Sequence, residues 1–226
     1  MPPLFAQPKV LLFDVNETLL DIGPLKKSVA EILLEPHAAE LWFATMLQYS
    51  LAMTVSGQYA AFPNIGAAVL QMLARNKDIV LSKMDAESAL SPISSLAPYP
   101  DVRPALERLS ARGWRMATLT NSSQAGLKAQ MEHADLERFF ERQLSVESVG
   151  KFKPHMEVYL WAAREMNVEP SECMLVAAHG WDVAGAKWAG LQIAFIARAG
   201  QQNFPLGPAL DIDVLDLDAL ADALGA

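Results

Sequence analysis

Cysteine is nearly absent. Cys173 is the single thiol in 226 residues, so no intramolecular disulfide can form, which suits a reducing cytosol. It opens an apolar run, where a thiol is core packing rather than a nucleophile. A basic excess is missing too. Lys and Arg number 18 against 26 Asp and Glu, a net charge of −8, and that balance gives no reason to expect nucleic acid. No stretch is long and apolar enough to span a membrane. The opening Met1-Pro2-Pro3-Leu4-Phe5 has no basic region and no long apolar run, so no targeting segment is expected. Repeats and low-complexity tracts are absent as well. These absences leave a cytoplasmic chain whose length suits one or two domains, with a small molecule as its expected partner.

What is present alternates between strand and helix. Val10-Leu11-Leu12-Phe13 reads as a strand buried on both faces and ends on Asp14. Strands are also expected at 114–120, 144–146, 174–177 and 193–196, with helices between them. Asp101 reads as an N-cap and Gly113 as a helix stop. The alternation implies a doubly wound, Rossmann-like parallel sheet. Right-handed crossovers put the strand ends before Asp14, Thr120 and Ala178 on one edge, where open α/β sheets bind ligands.

Between about residues 22 and 98 no strand signal occurs. Pro24 and Pro36 punctuate the start, and 38–56 reads as one helix with the stripe Trp42, Met46, Tyr49, Met53. Leu41, Phe43, Leu47 and Leu51 make its other sides apolar, so it is expected to be buried all round. A second helix follows Pro63. A third runs near 82–90, with Ser82 and Asp85 in capping-box register. The stretch 91–100 reads as a return linker. The expected organisation is a catalytic core of residues 1–22 and 99–226 with an inserted helical cap, 23–98. Apolar cap helices make a homodimer the expected assembly.

Four short motifs carry chemistry. Asp14-x-x-x-Thr18 ends the first strand. Thr120-Asn121 ends another at a helix start, where backbone N–H groups favour an anion. Lys153-Pro154 lies in a loop, with Tyr159 after it, and Ala177-Ala178-His179-Gly180-Trp181-Asp182 closes a third strand. In that order these motifs resemble those of the haloacid dehalogenase superfamily, over nearly the whole chain. The position two after the first Asp sorts that superfamily. Phosphatases carry a second Asp there as acid for the leaving alkoxide, and this chain has Asn16. An alkoxide needs a proton to leave, whereas a halide does not. The acid four residues before the last motif Asp is Ala178 here, so only Asp14 and Asp182 remain as carboxylate ligands for Mg²⁺, a cation that phosphoryl transfer uses. No metal and no cofactor are expected.

The pattern is similar to type II L-2-haloacid dehalogenases. The resemblance implies that Asp14 is the nucleophile, attacks the α-carbon of a short 2-haloalkanoic acid and forms an ester that water hydrolyses. It implies Thr18 bonded to Asp14, and an oxyanion site at the backbone of Val15 and Asn16. Lys153 and Thr120 would hold the substrate carboxylate, Asn121 would meet the halide, and Trp181 would form a wall. Asp182 would orient Lys153 and water, with Tyr159 in support. Two departures stand out. Phe43 follows Trp42 where the family has Arg, and His179 stands where the family has Asn. His179 is open between a base, a cation for the carboxylate and a loop contact. Glu17 and Asp21 read as turn and cap-facing residues. Other small-molecule hydrolysis, including weak phosphatase action, and binding without turnover stay open at this point.

Overall fold

A computed structural model describes residues 7–226. The opening residues Met1–Phe5, which entered the targeting expectation, lie outside them. Six strands form one parallel sheet: β1 (Val10–Phe13), β2 (Arg115–Thr120), β3 (Arg142–Ser145), β4 (Cys173–Ala177), β5 (Gln192–Ile196) and β6 (Ile212–Val214), in the order β3-β2-β1-β4-β5-β6. β1, β4 and β5 are buried along their whole length, as the unbroken apolar runs require of a sheet covered on both faces. β1 lies at the centre, with Phe13 level with Thr118 of β2 and Val176 of β4. Three strands therefore end side by side, and the loops beyond them carry Asp14, Asn121 and His179. The order reverses between β1 and β4, the switch point where such sheets form a crevice.

The helices of the insert are α1 (Gly23–Leu33), α2 (Ala38–Val55), α3 (Phe62–Arg75) and α4 (Lys83–Ala89). α1 went unforeseen because Pro24 reads as punctuation; it occupies a first-turn position, which Pro tolerates. Leu25, Val29 and Leu33 are its buried face. α4 starts as expected, Ser82 accepting from Asp85 N at 3.1 Å. The two connections to the sheet run alongside each other: Asp21 N donates to Ala97 O at 2.9 Å and Tyr99 N to Leu19 O at 3.0 Å. The return stretch contains a 3₁₀ turn, Ser91–Ser95.

The expected face of α2 needs correcting. Trp42, Met46, Ser50 and Thr54 are buried, whereas Tyr49, Leu41 and Leu51 are exposed. A helix apolar on all sides offers no periodic signal, and two hydroxyls were free to be buried. Each satisfies itself on the preceding turn, Ser50 on Met46 O at 2.8 Å and Thr54 on Ser50 O at 2.9 Å. Thr54 also accepts from Phe152 N at 3.1 Å, which ties the cap to the lysine loop.

The sheet side is completed by α5 (Val102–Ala111), α6 (Gln124–Ala134), α7 (Met156–Glu165), α8 (Gly180–Trp188) and α9 (Leu217–Ala223). β6 and α9 are too short to give a periodic signal. Asp101 precedes α5, but its side chain does not cap it; it accepts from Arg198 at 2.8 Å and from Leu217 N at 2.8 Å. A partner distant in sequence outcompeted the local cap. Gly113 does end α5, at φ 78°. Cys173 is buried core, its thiol pushed up to about 12 by burial. Among the described residues no helix is long and apolar enough to cross a membrane.

Gly185 of α8 is where the lysine loop comes closest. A Cβ there would lie 2.3 Å from Pro154 Cβ and 3.0 Å from the Tyr159 hydroxyl. Gly185→Ala should therefore lower stability by about 1–3 kcal/mol, read as a lower denaturant midpoint. An unchanged midpoint would show that the loop yields freely.

Candidate active site

Asp14 is buried at the end of β1, and both its oxygens are bonded. Oδ1 accepts from Lys153 Nζ at 2.8 Å, and Oδ2 accepts from Thr18 Oγ1 at 2.8 Å and faces His179 Nδ1 at 3.2 Å. Thr18 in turn accepts from Ala178 N at 2.9 Å, so one hydroxyl joins the first and last motifs. The Thr18 carbonyl is gripped by Arg198, whose Nη2 donates at 2.9 Å while its guanidinium stacks on Tyr99.

Lys153 spends all three ammonium protons: on Asp14, on Leu119 O at 2.9 Å and on Asp182 Oδ2 at 2.5 Å. Asp182 Oδ1 accepts from the Tyr159 hydroxyl at 2.6 Å. Asn121 Oδ1 accepts from Lys153 N at 3.0 Å, which leaves the Asn121 amide N–H groups for a ligand. Lys151 pairs with Glu157 at the surface and takes no part. Thr120 turns its hydroxyl to Ser122 N at 3.2 Å. Asn16 is held between Ser122, to which it donates at 3.2 Å, and Gln130, from which it accepts at 2.8 Å.

Sequence reasoning missed Glu17. It is buried, and its Oε2 lies 2.9 Å from His179 Nε2. Its backbone is left-handed, φ 61°, a conformation that favours glycine and costs a side-chain-bearing residue roughly 1–2 kcal/mol. A charged residue kept there points to a use for its carboxylate. The signal available was an acid flanked by two motif residues inside an otherwise apolar stretch. His179 thus stands between two carboxylates. Its ring is also sandwiched, with Phe43 at 5.9 Å and Trp181 at 5.2 Å between ring centres. Phe43 of α2 accordingly faces this site, and Trp181 borders Lys153 as well, at 6.0 Å.

The charges fix one another. Burial pushes the Asp14 carboxyl up, but the Lys153 ammonium and His179 outweigh it and hold Asp14 well below the usual carboxylate range. Burial lowers His179, and Asp14 and Glu17 reverse that, raising it to about 9. Glu17 is raised by burial and lowered further by His179 and Lys26, ending below its ordinary value. Burial lowers Lys153 and its two carboxylates raise it above its usual value. Asp182 is pushed up by burial and by the Asp14 charge, against Lys153. Tyr159 is raised well above its ordinary value by burial and by Asp182, so it remains a donor. Asp14 is thus a carboxylate and His179 an imidazolium at neutral pH.

The donor set does not fit Mg²⁺. Asp182 and Glu17, the acids that share cations with Asp14 among the described residues, are committed to Lys153, Tyr159, His179 and Lys26. Among the described residues no group of three or more His, Cys, Asp or Glu is arranged to hold a metal ion.

A protein-family model for haloacid dehalogenase-like hydrolases matches residues 8–190. The (S)-2-haloacid dehalogenase H-109 of Pseudomonas putida is 27% identical over 95% of this chain and 96% of its own. Haloacetate dehalogenase H-2 of Moraxella sp. is 28% identical, covering 94% and 96%. A solved dehalogenase in an intermediate complex superimposes with a TM-score of 0.89 at 27% identity, over 99% of this chain and 100% of that one. The L-2-haloacid dehalogenase of Xanthobacter autotrophicus with chloropropionic acid covalently bound shares the fold, with a TM-score of 0.88 at 23% identity over 97% and 99%.

A raised His179 stabilises the fold most where the unfolded imidazole would also be protonated, because the charged form is then favoured by the folded site alone. The contribution is complete below the ordinary value of 6.5 and is lost as pH rises through about 9. It amounts to at most about 3 kcal/mol. The stability difference between wild type and His179→Gln should shrink between pH 6.5 and 9.5 in urea titrations. A constant difference would contradict a charged His179.

Proposed function

The chain belongs to the haloacid dehalogenase-like hydrolases, and on that premise we propose that it hydrolyses short (S)-2-haloalkanoic acids to 2-hydroxy acids without a metal. One observation carries the reading: a buried carboxylate, Asp14, is bonded to two cations, and Asn16 stands where a second carboxylic acid would protonate an alkoxide leaving group. Asn16, at the position that would protonate an alkoxide, has its amide committed to Ser122 and Gln130, which disfavours phosphate ester hydrolysis.

Lone-pair counting picks the attacking atom. Oδ2 has two hydrogen-bonding neighbours and Oδ1 one, so Oδ1 keeps a free lone pair. Oδ1 attacks the α-carbon; the carbon–oxygen bond forms as the carbon–halogen bond breaks, and the halide leaves with its electron pair. The carbon is inverted. Lys153, by sharing the proton that it gives Asp14 Oδ1, and the free proton of the Thr120 hydroxyl hold the substrate carboxylate, while the Asn121 amide meets the halide and Phe43 and Trp181 form apolar walls.

Esterification removes the Asp14 charge. His179 then faces one carboxylate instead of two, its basicity falls, and it releases its proton to solvent, matching the halide released. Water next attacks Asp14 Cγ. One water proton passes to the neutral His179, held by Glu17, and the oxyanion is stabilised by the backbone N–H groups of Val15 and Asn16. The second water proton goes to the departing alkoxide as the Cγ–Oδ1 bond breaks. The site returns to carboxylate and imidazolium with all atoms balanced.

In this reading the core, 1–22 and 99–226, supplies the chemistry and the cap, 23–98, closes over it and chooses the acid. The single buried thiol suits a cytoplasmic enzyme. Leu34, Leu41 and Met84 stand exposed on the cap, apolar surface that a homodimer would cover.

In heavy-oxygen water, a single turnover of (S)-2-chloropropionate should give unlabelled 2-hydroxypropionate and label on Asp14. Asp14→Asn should remain folded and release no halide, and EDTA should leave the wild-type rate unchanged. Label in the product of the first turnover would mean direct attack by water on the α-carbon and defeat the reading.

A further inference from the structure

Glu17 has a second partner that the reaction as described does not use. Lys26, on the first cap helix, places Nζ 2.7 Å from Glu17 Oε1, on the carboxylate oxygen not engaged by His179. Lys26 is only half-exposed, with Glu17 buried beneath it. Its neighbour Lys27 shows what an ordinary lysine of this helix does: it is solvated and lies 4.0 Å from Glu31. The helix is anchored from below by Leu25, Val29 and Leu33, and Lys26 N donates to Ile22 O at 2.9 Å, so the ammonium is delivered from a fixed backbone.

We propose that Lys26 is a positioning residue for the hydrolysis half of the reaction: it shares the Glu17 carboxylate with His179, so that the imidazole gives up its proton once Asp14 has become an ester. This rests on the dehalogenase reading above. Without Lys26, Glu17 would direct its whole charge at His179 and hold the imidazolium after esterification, when a neutral base is required. Lys26 also spans from the cap to the core, so the correct basicity is assembled only when the cap is seated.

Every group that faces this pair enters the argument. His179 sees Asp14 and Glu17 through its two nitrogens, and Phe43 and Trp181 through its faces. Glu17 sees His179 and Lys26, with the Tyr99 phenol in its field; burial, then the Asp21 and Glu17 charges, raise that phenol above its usual value. Lys153 and Asp182 lie on the far side of Asp14. Lys26 is therefore the cation that bears on Glu17 from the cap, and the one whose removal leaves the contacts of Asp14 intact.

The test uses the full chain in two measurements. First, the imidazole titration of His179 is followed by NMR without substrate, assigned by its loss in His179→Gln. Lys26→Met should move the titration up by roughly half a unit or more, and Lys26→Arg should leave it near the wild-type value. No movement, or a fall, in Lys26→Met would overturn the proposal. Second, rapid-quench single turnovers of (S)-2-chloropropionate separate halide release, which reports ester formation, from 2-hydroxypropionate formation, which reports hydrolysis. Lys26→Met should keep the first and slow the second several-fold at pH 7, with recovery toward alkaline pH. Equal loss in both steps at every pH would reduce Lys26 to a structural tie. Should wild type release no halide, the dehalogenase reading fails, and the titration still decides the role of the lysine.

Discussion

A carboxylate buried at the end of a central strand must be balanced, and the rest of this site follows from how Asp14 is balanced. Removing a charge from water is costly unless opposite charge and hydrogen bonds replace the water. Here the replacement is an alternating series: Lys26, Glu17, His179, Asp14, Lys153 and Asp182, each within hydrogen-bond distance of the next. With His179 protonated the series holds three cations and three anions and sums to zero. In the proposed reaction, turning Asp14 into an ester would unbalance it by one charge, and that imbalance would shift His179 from acid to base. On that proposal the chemistry of the second half-reaction is a response to the first.

The fold makes the series possible by bringing together parts distant in sequence. β1 lies between β2 and β4, so the turns beyond three adjacent strands share one crevice. Thr18 couples the first turn to the third through Ala178 N, and Arg198 pins Thr18 from beyond β5. The cap contributes what the sheet lacks: Phe43 over His179, Lys26 on Glu17 and Thr54 on the lysine loop. The aromatic sandwich serves two ends. It excludes water from the imidazolium, which strengthens the pull of the carboxylates, and it fixes the ring plane so that one nitrogen faces each acid.

The sheet and the buried Asp14 at the end of its central strand were legible because the determinants are local. Val10–Phe13 is an unbroken apolar run ending on Asp14, and the lysine and last-motif residues fall at regular positions after strands. Asn16 and Ala178 were readable as missing acids. Glu17 was not, because its role depends on a left-handed backbone and on a histidine 162 positions later. Lys26 and Arg198 were hidden for the same reason: a surface-looking cation reveals its partner only in three dimensions. α2 misled through its composition, since a helix apolar on every side gives no phase, and its buried hydroxyls are satisfied within the helix. Asp101 misled through local chemistry, its capping position being real but its side chain drawn to Arg198.

The central claim is that Asp14 carries the substrate as an ester and that His179 is needed only to remove it. Incubating His179→Ala with (S)-2-chloropropionate and weighing the intact protein tests this most directly. The account predicts a stable adduct, mapped by peptide sequencing to the segment containing Asp14, with one halide released per site. Sustained turnover without an adduct, or a variant that binds substrate and releases no halide at all, would contradict it.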